Sequence, residues 1–164
     1  MQFHEGTIND VECRILDKHR DHRGWLTEVF RQDELEGFEP AMCYLSLTLP
    51  GIARGPHEHR HQTDYFVFLG IGTFEIRLWD NRPDSASYGH RQTIIAGDDH
   101  PICVIVPPGV VHGYKNISDV DGLVVNCPDQ LFAGWDRCEP VDEIRHEDNV
   151  DSPFQMKTVE VSHD

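Results

Sequence analysis

Apolar and polar residues alternate in short runs over most of the chain. Alternation with a period of two is typical of β-strands that bury one face. Gly- and Pro-containing turns such as "GIG" and "GDDHP" separate these runs, and helical periodicity is weak apart from one helical turn expected in "QDELEGF" (32–38). The pattern therefore favours an all-β sandwich or barrel with few short helices. The predicted strands cover residues 11–18, 24–31, 42–49, 64–70, 73–80, 91–97, 102–107 and 122–127.

A length of 164 residues suits one domain with its own hydrophobic core. The chain contains no internal repeat, low-complexity tract or linker. We therefore expect a single domain over residues 1–164. Within it we expect N-terminal strands at about 10–31, a barrel at about 40–130 and a polar, irregular tail at 131–164, whose final "EVSHD" should fray.

Acidic residues dominate the charge of the chain. The 29 Asp and Glu residues against 14 Lys and Arg residues give a net charge of -15. Such a chain has no general attraction for nucleic acid or for anionic lipid, so an anionic ligand would need a local cluster of arginines. No apolar run approaches the ~18 residues of a membrane span, and the start lacks the pattern of a signal peptide.

The cysteines indicate a reducing compartment. Their number is odd, their positions are scattered and no CxxC occurs, so we expect mostly buried free thiols. The five are Cys13, Cys43, Cys103, Cys127 and Cys138. Together with the acidic composition, this predicts a cytoplasmic protein with neither a nucleic-acid nor a membrane partner.

The segment "RGPHEHRHQTDYF" (54–66) is rich in histidine. His57 and His59 are two residues apart, so on a strand both imidazoles lie on one face. Asp64 follows just before the next apolar run, and His112 comes later in "PPGVVHGYKN". Three histidines and one carboxylate can form a metal centre. His61 continues the alternation, but we expect it to be exposed to solvent.

Two motifs in this region resemble those of the cupin superfamily, over residues 50–127. Gly51 stands six residues before His57, as in the first cupin motif, and "PPGVVHGYKN" is similar to the second motif, P-x-G-x-x-H-x-x-x-N. The resemblance implies a double-stranded β-helix, or jelly-roll, barrel. Asp64 stands where metal-binding cupins usually carry Glu, and its shorter side chain reaches less far.

A closer resemblance extends over residues 13–150. The stretches "DHRGWLTEVF", "ARGPHEH", "GTFEIRLWDNRPDSASYG" and "PPGVVHGY" occur in the same order as similar stretches of the dTDP-4-dehydrorhamnose 3,5-epimerase family. That family consists of cupins that act on nucleotide-linked 4-keto sugars without a metal. The resemblance therefore implies an isomerase that needs no cofactor, takes a nucleotide-linked keto sugar and forms a homodimer.

The same resemblance implies roles for individual residues. His57 would be the general base that removes the proton next to the C4 ketone, and an imidazole suits that step. Asp148, or else Glu147, would orient it from the C-terminal tail. Arg54 would stabilise the enolate oxygen or contact phosphate. His112 would contact the substrate, or else only bond to loop carbonyls.

Other positions extend the resemblance or depart from it. Arg23 and Glu28 would hold the nucleotide, either within one chain or across a dimer interface. The family's Gln in R-G-x-H-x-Q is His59 here, and its Lys on the next strand corresponds to Tyr65, which we expect to contact substrate. The family's catalytic tyrosine corresponds to Val125, which cannot transfer a proton.

These departures favour some reactions over others. A double epimerisation needs an acid on the opposite face of the sugar, so we favour epimerisation at one carbon, or keto-isomerisation with protons shared between His57 and His59. Two alternatives stay open. One is a metal-dependent dioxygenase or isomerase with the ligands His57, His59, Asp64 and His112, and the other is a sugar-binding cupin without catalytic activity.

Overall fold

The structure is a computed structural model that describes residues 2–35 and 37–156. Within them the chain forms thirteen strands and one short 3-10 helix, at Trp135–Arg137. No helix in this part of the chain has the length and apolar character needed to cross a membrane. The strands are β1 (His4–Glu5), β2 (Glu12–Ile15), β3 (His19–Asp21), β4 (Gly24–Leu26), β5 (Tyr44–Thr48), β6 (Ala53–Glu58), β7 (Asp64–Phe68), β8 (Thr73–Asp80), β9 (His90–Gly97), β10 (Ile102–Val106), β11 (Val110–Asn116), β12 (Gly122–Asn126) and β13 (Ile144–Arg145).

Two sheets make up the body of the fold. One has the order β1-β9-β8-β11-β6-β13, the other has the order β2-β10-β7-β12-β5, and β3 and β4 form a separate hairpin. The main core lies between the sheets, because alternate side chains of each point inward. Its largest buried members include Phe66, Phe68, Phe74, Leu78 and Tyr114. The prediction of an all-β jelly-roll is confirmed.

Most predicted strands are present, with shorter ends at the N-terminal side. Strand β8 matches the predicted 73–80, whereas the predicted 24–31 is a strand only at Gly24–Leu26. The residues 19–23, which lie between two predicted strands, contain β3. The residues 32–35 form a turn rather than the expected helical turn. Proline and glycine correctly indicated where strands are interrupted. The ends of half-buried strands could not be predicted, because pairing with neighbouring strands sets them.

The expectation of an irregular tail from residue 131 is wrong in part. Strand β13 pairs with β6, with Arg145 opposite His57. Further on, Phe154 and Met156 are buried in a cluster with Trp79 and Val111. A few apolar residues in a polar segment suffice to fix it, because each buries its side chain against the outer face of the sheet. The final "EVSHD" lies outside the described residues.

The expectation of mostly buried thiols is also wrong. All five cysteines are free, but only Cys103 and Cys127 are buried, while Cys13, Cys43 and Cys138 are exposed. Cys13 lies in β2 and Cys43 directly precedes β5, and these two strands are the edges of the five-stranded sheet. An edge strand has a neighbour on one side only, so an apolar run there need not be buried.

Candidate active site

A cavity of about 1180 Å³ opens at one end of the two sheets. Pockets that hold drug-sized ligands measure roughly 300–1,000 Å³, so this one has room for a nucleotide sugar. The loop and tail segments between residues 129 and 147 cover one side of it. Its lining includes His57, His59, Arg54, Tyr44 and Glu143.

An irregularity between β6 and β11 brings two histidines together. His112 pairs with His57, but Tyr114 pairs with Arg54, so β6 uses three residues where β11 uses two. Such a bulge re-aims the side chains beside it. The ring centroids of His57 and His112 are 4.4 Å apart, and those of His57 and His59 are 5.3 Å apart. The prediction that His57 and His59 share a face is confirmed.

Gly55 makes this close approach possible. Its φ is +77°, and a Cβ placed on it would lie 2.7 Å from the carbonyl oxygen of His112. A side chain would therefore push β6 away from β11 and be strained as well. This is the physical reason for the glycine in "RGPH".

Asp64 lies beneath the histidines, at the start of β7, with 1% of its surface exposed. Its Oδ1 accepts hydrogen bonds from Gln62 Nε2 (2.9 Å) and Asn126 Nδ2 (2.8 Å). Its Oδ2 lies 3.1 Å from His59 Nε2 and 3.0 Å from His112 Nε2. The angles nevertheless do not meet those of a hydrogen bond, and both Asp64 Oδ2 and His112 Nε2 are buried without a hydrogen-bond partner among the described residues.

The other ring nitrogens explain this arrangement. His112 Nδ1 lies 3.0 Å from the Val110 carbonyl oxygen, and His59 Nδ1 contacts the Asp142 carbonyl oxygen. A carbonyl only accepts, so each Nδ1 carries the proton and each neutral ring keeps a lone pair on Nε2. The His59 lone pair accepts from Gln62 Nε2, at 3.2 Å, whereas the His112 lone pair faces Asp64 Oδ2 with no donor between them. Two acceptors in contact require a proton on the imidazole or a cation between them.

The donors in this cluster fit a metal ion. His57, His59, Asp64 and His112 each offer one ligand atom, and these four atoms lie within 4.8 Å of one another. Three imidazoles and a carboxylate suit first-row transition metals, and carbonyls on Nδ1 are typical orienting partners of metal-binding histidines. The shorter carboxylate of Asp64 therefore still reaches the histidines.

The surroundings of His57, on β6, and of His59, just after this strand, favour different protonation states. Burial, followed by the neighbouring His112 and His59, lowers the pKa of His57 to about 2. Burial also lowers the pKa of His59, but its contacts with the Asp64 carboxylate outweigh burial and raise it above the ordinary value. His57 is therefore held neutral, while His59 is pushed toward imidazolium.

The structure places a different acid beside His57 from the one expected. Glu143 Oε1 lies 4.0 Å from His57 Nδ1. Asp148 is exposed and faces Arg145, at 3.6 Å, and Glu147 also contacts Arg145, at 3.3 Å. The expected role of Asp148 has no support in this geometry, because the pairing of β13 with β6 places the earlier part of the tail over the histidine.

Tyr65 lies on the opposite side of its strand from the cavity. It is buried, its hydroxyl donates to the Val29 carbonyl oxygen (2.6 Å), and its ring stacks on Phe38. Tyr65 is not part of the cavity lining, so this geometry gives no support to the expectation that it contacts substrate. Since Asp64 points inward, alternation along β7 turns Tyr65 outward. Val125 likewise packs on the outer cluster that contains Tyr65.

The expected arginines divide into two groups. Arg54 lines the cavity and donates to Thr48 Oγ1 (3.0 Å) and to the Leu47 carbonyl oxygen (2.7 Å). Arg23 is exposed and pairs with Asp21 at 2.6 Å, and Glu28 contacts Arg31 at 3.2 Å. Neither Arg23 nor Glu28 reaches the cavity within one chain. His61 is exposed at its rim, as expected.

Several residues of the site escaped the sequence-based prediction. Tyr44 and Asn126 lie on the wall that carries Asp64, and Glu143, Arg137 and Arg145 come from the segment that covers the cavity. For Asn126 a signal was present, because a polar residue within the apolar run "GLVVNC" is typical of a buried hydrogen-bonded group. For the covering segment there was none.

Comparison with known proteins gives consistent results. The family model for dTDP-4-dehydrorhamnose 3,5-epimerase matches residues 5–139. The chain is 38% identical over 128 residues to the probable low-salt glycan biosynthesis epimerase Agl13 of Haloferax volcanii, a match that covers 76% of this chain and 81% of that protein. It is 31% identical over 140 residues to the spore coat polysaccharide biosynthesis protein SpsL of Bacillus subtilis, covering 79% and 91%.

Solved structures share the fold. A dTDP sugar isomerase from Desulfovibrio desulfuricans superimposes with a TM-score of 0.77 at 22% identity, covering 90% of this chain and 91% of that one. ChmJ, a 3'-monoepimerase from Streptomyces bikiniensis solved with dTDP-quinovose, gives a TM-score of 0.75 at 20% identity, covering 96% and 82%. At these identities the likeness concerns the architecture alone.

Proposed function

The chain belongs to the dTDP-4-dehydrorhamnose 3,5-epimerase family, and on that premise we propose that it is an epimerase or ketoisomerase of a nucleotide-diphosphate 4-keto-6-deoxy sugar. One observation carries the proposal. His57 and His59 project side by side into a cavity of nucleotide-sugar size, one held neutral and the other pushed toward imidazolium. Titratable neighbours with opposed protonation states are typical of acid and base pairs.

His57 is the base in this mechanism. The neutral imidazole takes the proton from the carbon next to the C4 ketone, and the C–H electron pair moves into the carbonyl to form an enolate. The charge of Glu143, 4.0 Å from His57 Nδ1, lies close enough to stabilise the imidazolium that forms. His59, charged through its contact with Asp64, would stabilise the enolate oxygen.

The basic residues at the cavity suit a diphosphate. Arg54, Arg137 and Arg145 line it, together with five acidic residues: Asp129, Glu139, Asp142, Glu143 and Glu147. A guanidinium binds phosphate oxygens through two parallel N–H groups, so direct pairing with these arginines, rather than the overall field, would hold a diphosphate. ChmJ, which shares the fold, has been solved with dTDP, and this supports a nucleotide-linked substrate.

We also propose that the protein is a homodimer. Leu45 and Leu47 of β5 form an apolar row with Leu49 just after the strand, and the three are 63%, 52% and 55% exposed. Strand β5 is a sheet edge, so its free backbone groups and this row together invite pairing with a second copy. In such a dimer Arg23 and Glu28 of the exposed N-terminal region could come near the partner's cavity.

A cytoplasmic location fits the same proposal. Exposed free thiols persist in a reducing compartment, and Cys13, Cys43 and Cys138 are of this kind.

The reaction can be tested directly in heavy water. The protein is incubated with dTDP-4-keto-6-deoxyglucose, and the sugar is followed by NMR. Deuterium at C3 or C5, or an isomer, supports the proposal, and His57→Asn should abolish both. Absence of exchange and of isomers with this and other nucleotide sugars contradicts it. Nucleotide-sugar binding without exchange would instead support a sugar-binding cupin.

The convergence of unpaired acceptors supports a second candidate, a metal-dependent dioxygenase or isomerase. His57, His59, His112 and Asp64 would hold the ion, with carbonyls orienting two of the imidazoles. When bound, a divalent metal would polarise a substrate oxygen. The chain itself contributes the cavity and the buried carboxylate.

Elemental analysis distinguishes this candidate from the first. Protein purified without added metal is assayed for iron, manganese, nickel and zinc, and the titration of apoprotein with each ion is followed by calorimetry. A stoichiometric ion that is lost in His59→Ala and in Asp64→Asn supports the metal enzyme. Metal-free protein with full activity excludes it.

A further inference from the structure

Tyr44 lines the cavity from a different sheet than His57 does. It belongs to β5, in the five-stranded sheet, whereas His57 belongs to β6, in the six-stranded sheet. Residues 44, 46 and 48 of β5 share one face. That face points inward, since Ser46 Oγ contacts Tyr114 Oη at 2.7 Å and Thr48 Oγ1 accepts from Arg54. The Tyr44 ring therefore lines the same cavity as His57.

The hydroxyl of Tyr44 accepts one hydrogen bond and donates none within the described residues. Asn126 Nδ2 donates to Tyr44 Oη at 2.9 Å, and the same amide donates to Asp64 Oδ1 at 2.8 Å. An amide nitrogen can only donate, so the hydroxyl hydrogen of Tyr44 is not used in this bond. No residue within 2–35 and 37–156 accepts that hydrogen in a hydrogen bond. It is available to a ligand in the cavity.

We propose that Tyr44 is the acid that protonates the enolate carbon on the face opposite His57, which makes the reaction an epimerisation rather than a keto-isomerisation. The inference rests on the function proposed above. It deepens that function, because a base on one wall and an acid on the other invert a carbon, whereas two groups on one wall return or shift a proton on one face.

The other candidates for this role are less suitable. Tyr114 also lines the cavity, but it is 5% exposed and its hydroxyl is paired with Ser46. Val125 has no acidic group and packs outward. Among the phenols that line the cavity, Tyr44 is the one whose proton is both unshared and accessible.

The ionisation of Tyr44 supports the same role. Tyr44 is 43% exposed, but the partial burial of its ring raises its pKa to about 12 in spite of the hydrogen bond from Asn126, and the neighbouring Asp64 adds to the rise. The phenol therefore keeps its proton at neutral pH and is in the acid form when substrate binds.

The epimerisation transfers one proton to His57 and another from Tyr44. His57 takes the proton from one face of the carbon, and the C–H pair becomes the enolate π bond. That π bond then takes the proton of Tyr44 Oη from the other face, forming the new C–H bond and restoring the ketone. The step leaves an imidazolium and a phenolate, and solvent returns one proton from His57 to Tyr44 after product leaves.

The test compares Tyr44→Phe and the control Tyr88→Phe with the wild type in heavy water. Two rates are measured: deuterium uptake by the substrate, and formation of the epimer. Tyr44→Phe should form epimer about 100-fold more slowly or worse. It should keep deuterium uptake within a few-fold, with retention of configuration, because His57 still removes and returns the proton. Tyr88 is remote from the cavity, so Tyr88→Phe should behave as wild type.

The possible results separate this inference from the function on which it rests. A Tyr44→Phe enzyme that forms epimer at the wild-type rate overturns the role of Tyr44, as does one that loses uptake and epimer together. A wild type that forms a 3-keto isomer unaffected by Tyr44→Phe also overturns it and favours keto-isomerisation. A wild type without any exchange contradicts the proposed function, and the role of Tyr44 with it. Thermal melting checks that each variant is folded.

Discussion

Asp64 and His112 form a buried pair, with Oδ2 of the carboxylate 3.0 Å from Nε2 of the imidazole and side chains 1% and 3% exposed. The same oxygen lies 3.1 Å from His59 Nε2. One carboxylate thus lies against two histidines, of which His59 lines the cavity and His112 is buried beneath it. A buried carboxylate is costly to desolvate, so its presence here indicates a requirement of the site rather than of the fold.

Asp64→Asn should therefore affect turnover more than folding. The amide keeps the shape but removes the charge that favours imidazolium at His59. We expect kcat to fall about 100-fold or more, with KM changed far less. Steady-state kinetics measures both. Asp98→Asn, which changes an exposed carboxylate paired with Lys18, is the matched control. Turnover of Asp64→Asn close to wild type would contradict the role of the charge.

Glu143 should matter for catalysis where Asp148 does not. Glu143→Gln removes the charge 4.0 Å from His57 Nδ1, so the imidazolium formed during turnover loses a stabilising partner and kcat should fall roughly 10-fold to 100-fold. Asp148→Asn changes an exposed carboxylate beside Arg145 and should leave kcat near wild type. Melting temperatures of both variants should stay close to wild type. The reverse ranking of the two variants would restore Asp148 as the orienting acid.

Tyr65→Phe should change stability without changing KM. The variant removes the hydroxyl that donates to the Val29 carbonyl oxygen, on the side of the sheet away from the cavity. A net loss of about 1 kcal/mol in the free energy of unfolding is expected from one such hydrogen bond. Urea unfolding and steady-state kinetics provide the two readouts. A large rise in KM at unchanged stability would show that Tyr65 contacts substrate after all.

The leucine row on β5 should carry the dimer. Leu45→Glu and Leu47→Glu place charges on a face that a second copy would bury, so each should shift the protein toward monomer in light scattering coupled to gel filtration. Ile95→Glu is the control, because Ile95 is 46% exposed on β9 in the other sheet. A wild type that is monomeric at high micromolar concentration would contradict the proposed dimer.

Asp80 should make stability depend on pH. Burial raises the pKa of Asp80, but hydrogen bonds from Arg82, Ser85 and Ser87 outweigh burial and hold it far below the usual range. A carboxylate with a depressed folded pKa contributes stability above its unfolded value of about 3.9, and that contribution is lost as pH falls further.

Asp80→Asn tests this contribution. It should cost roughly 3 kcal/mol at pH 7, because Arg82 and two hydroxyls lose their buried charged partner. It should also flatten the loss of stability between pH 5 and pH 3. Urea unfolding at several pH values gives both quantities. Equal pH dependence in the variant and the wild type would assign the acid sensitivity to other groups.

Local patterns in the sequence determined much of the fold and the centre of the site. A period of two located most strands, since side chains of a strand alternate regardless of which strand lies beside it. The same rule placed His57 and His59 on one face, and the second motif added His112. The same alternation could also have shown that Tyr65 points away from the cavity, because an inward Asp64 requires an outward neighbour.

Tertiary structure alone decided the rest. Tyr44 and His57 line one cavity from strands β5 and β6 of different sheets, and no local pattern states which sheet a strand joins. Glu143, not Asp148, lies beside His57 because β13 pairs with β6 in one register, and a polar tail with several acids does not specify that register. The sequence by itself therefore determined which side chains share a face, whereas packing between the sheets determined which faces meet, since the free energy that selects those pairings comes from burial between residues far apart in the chain.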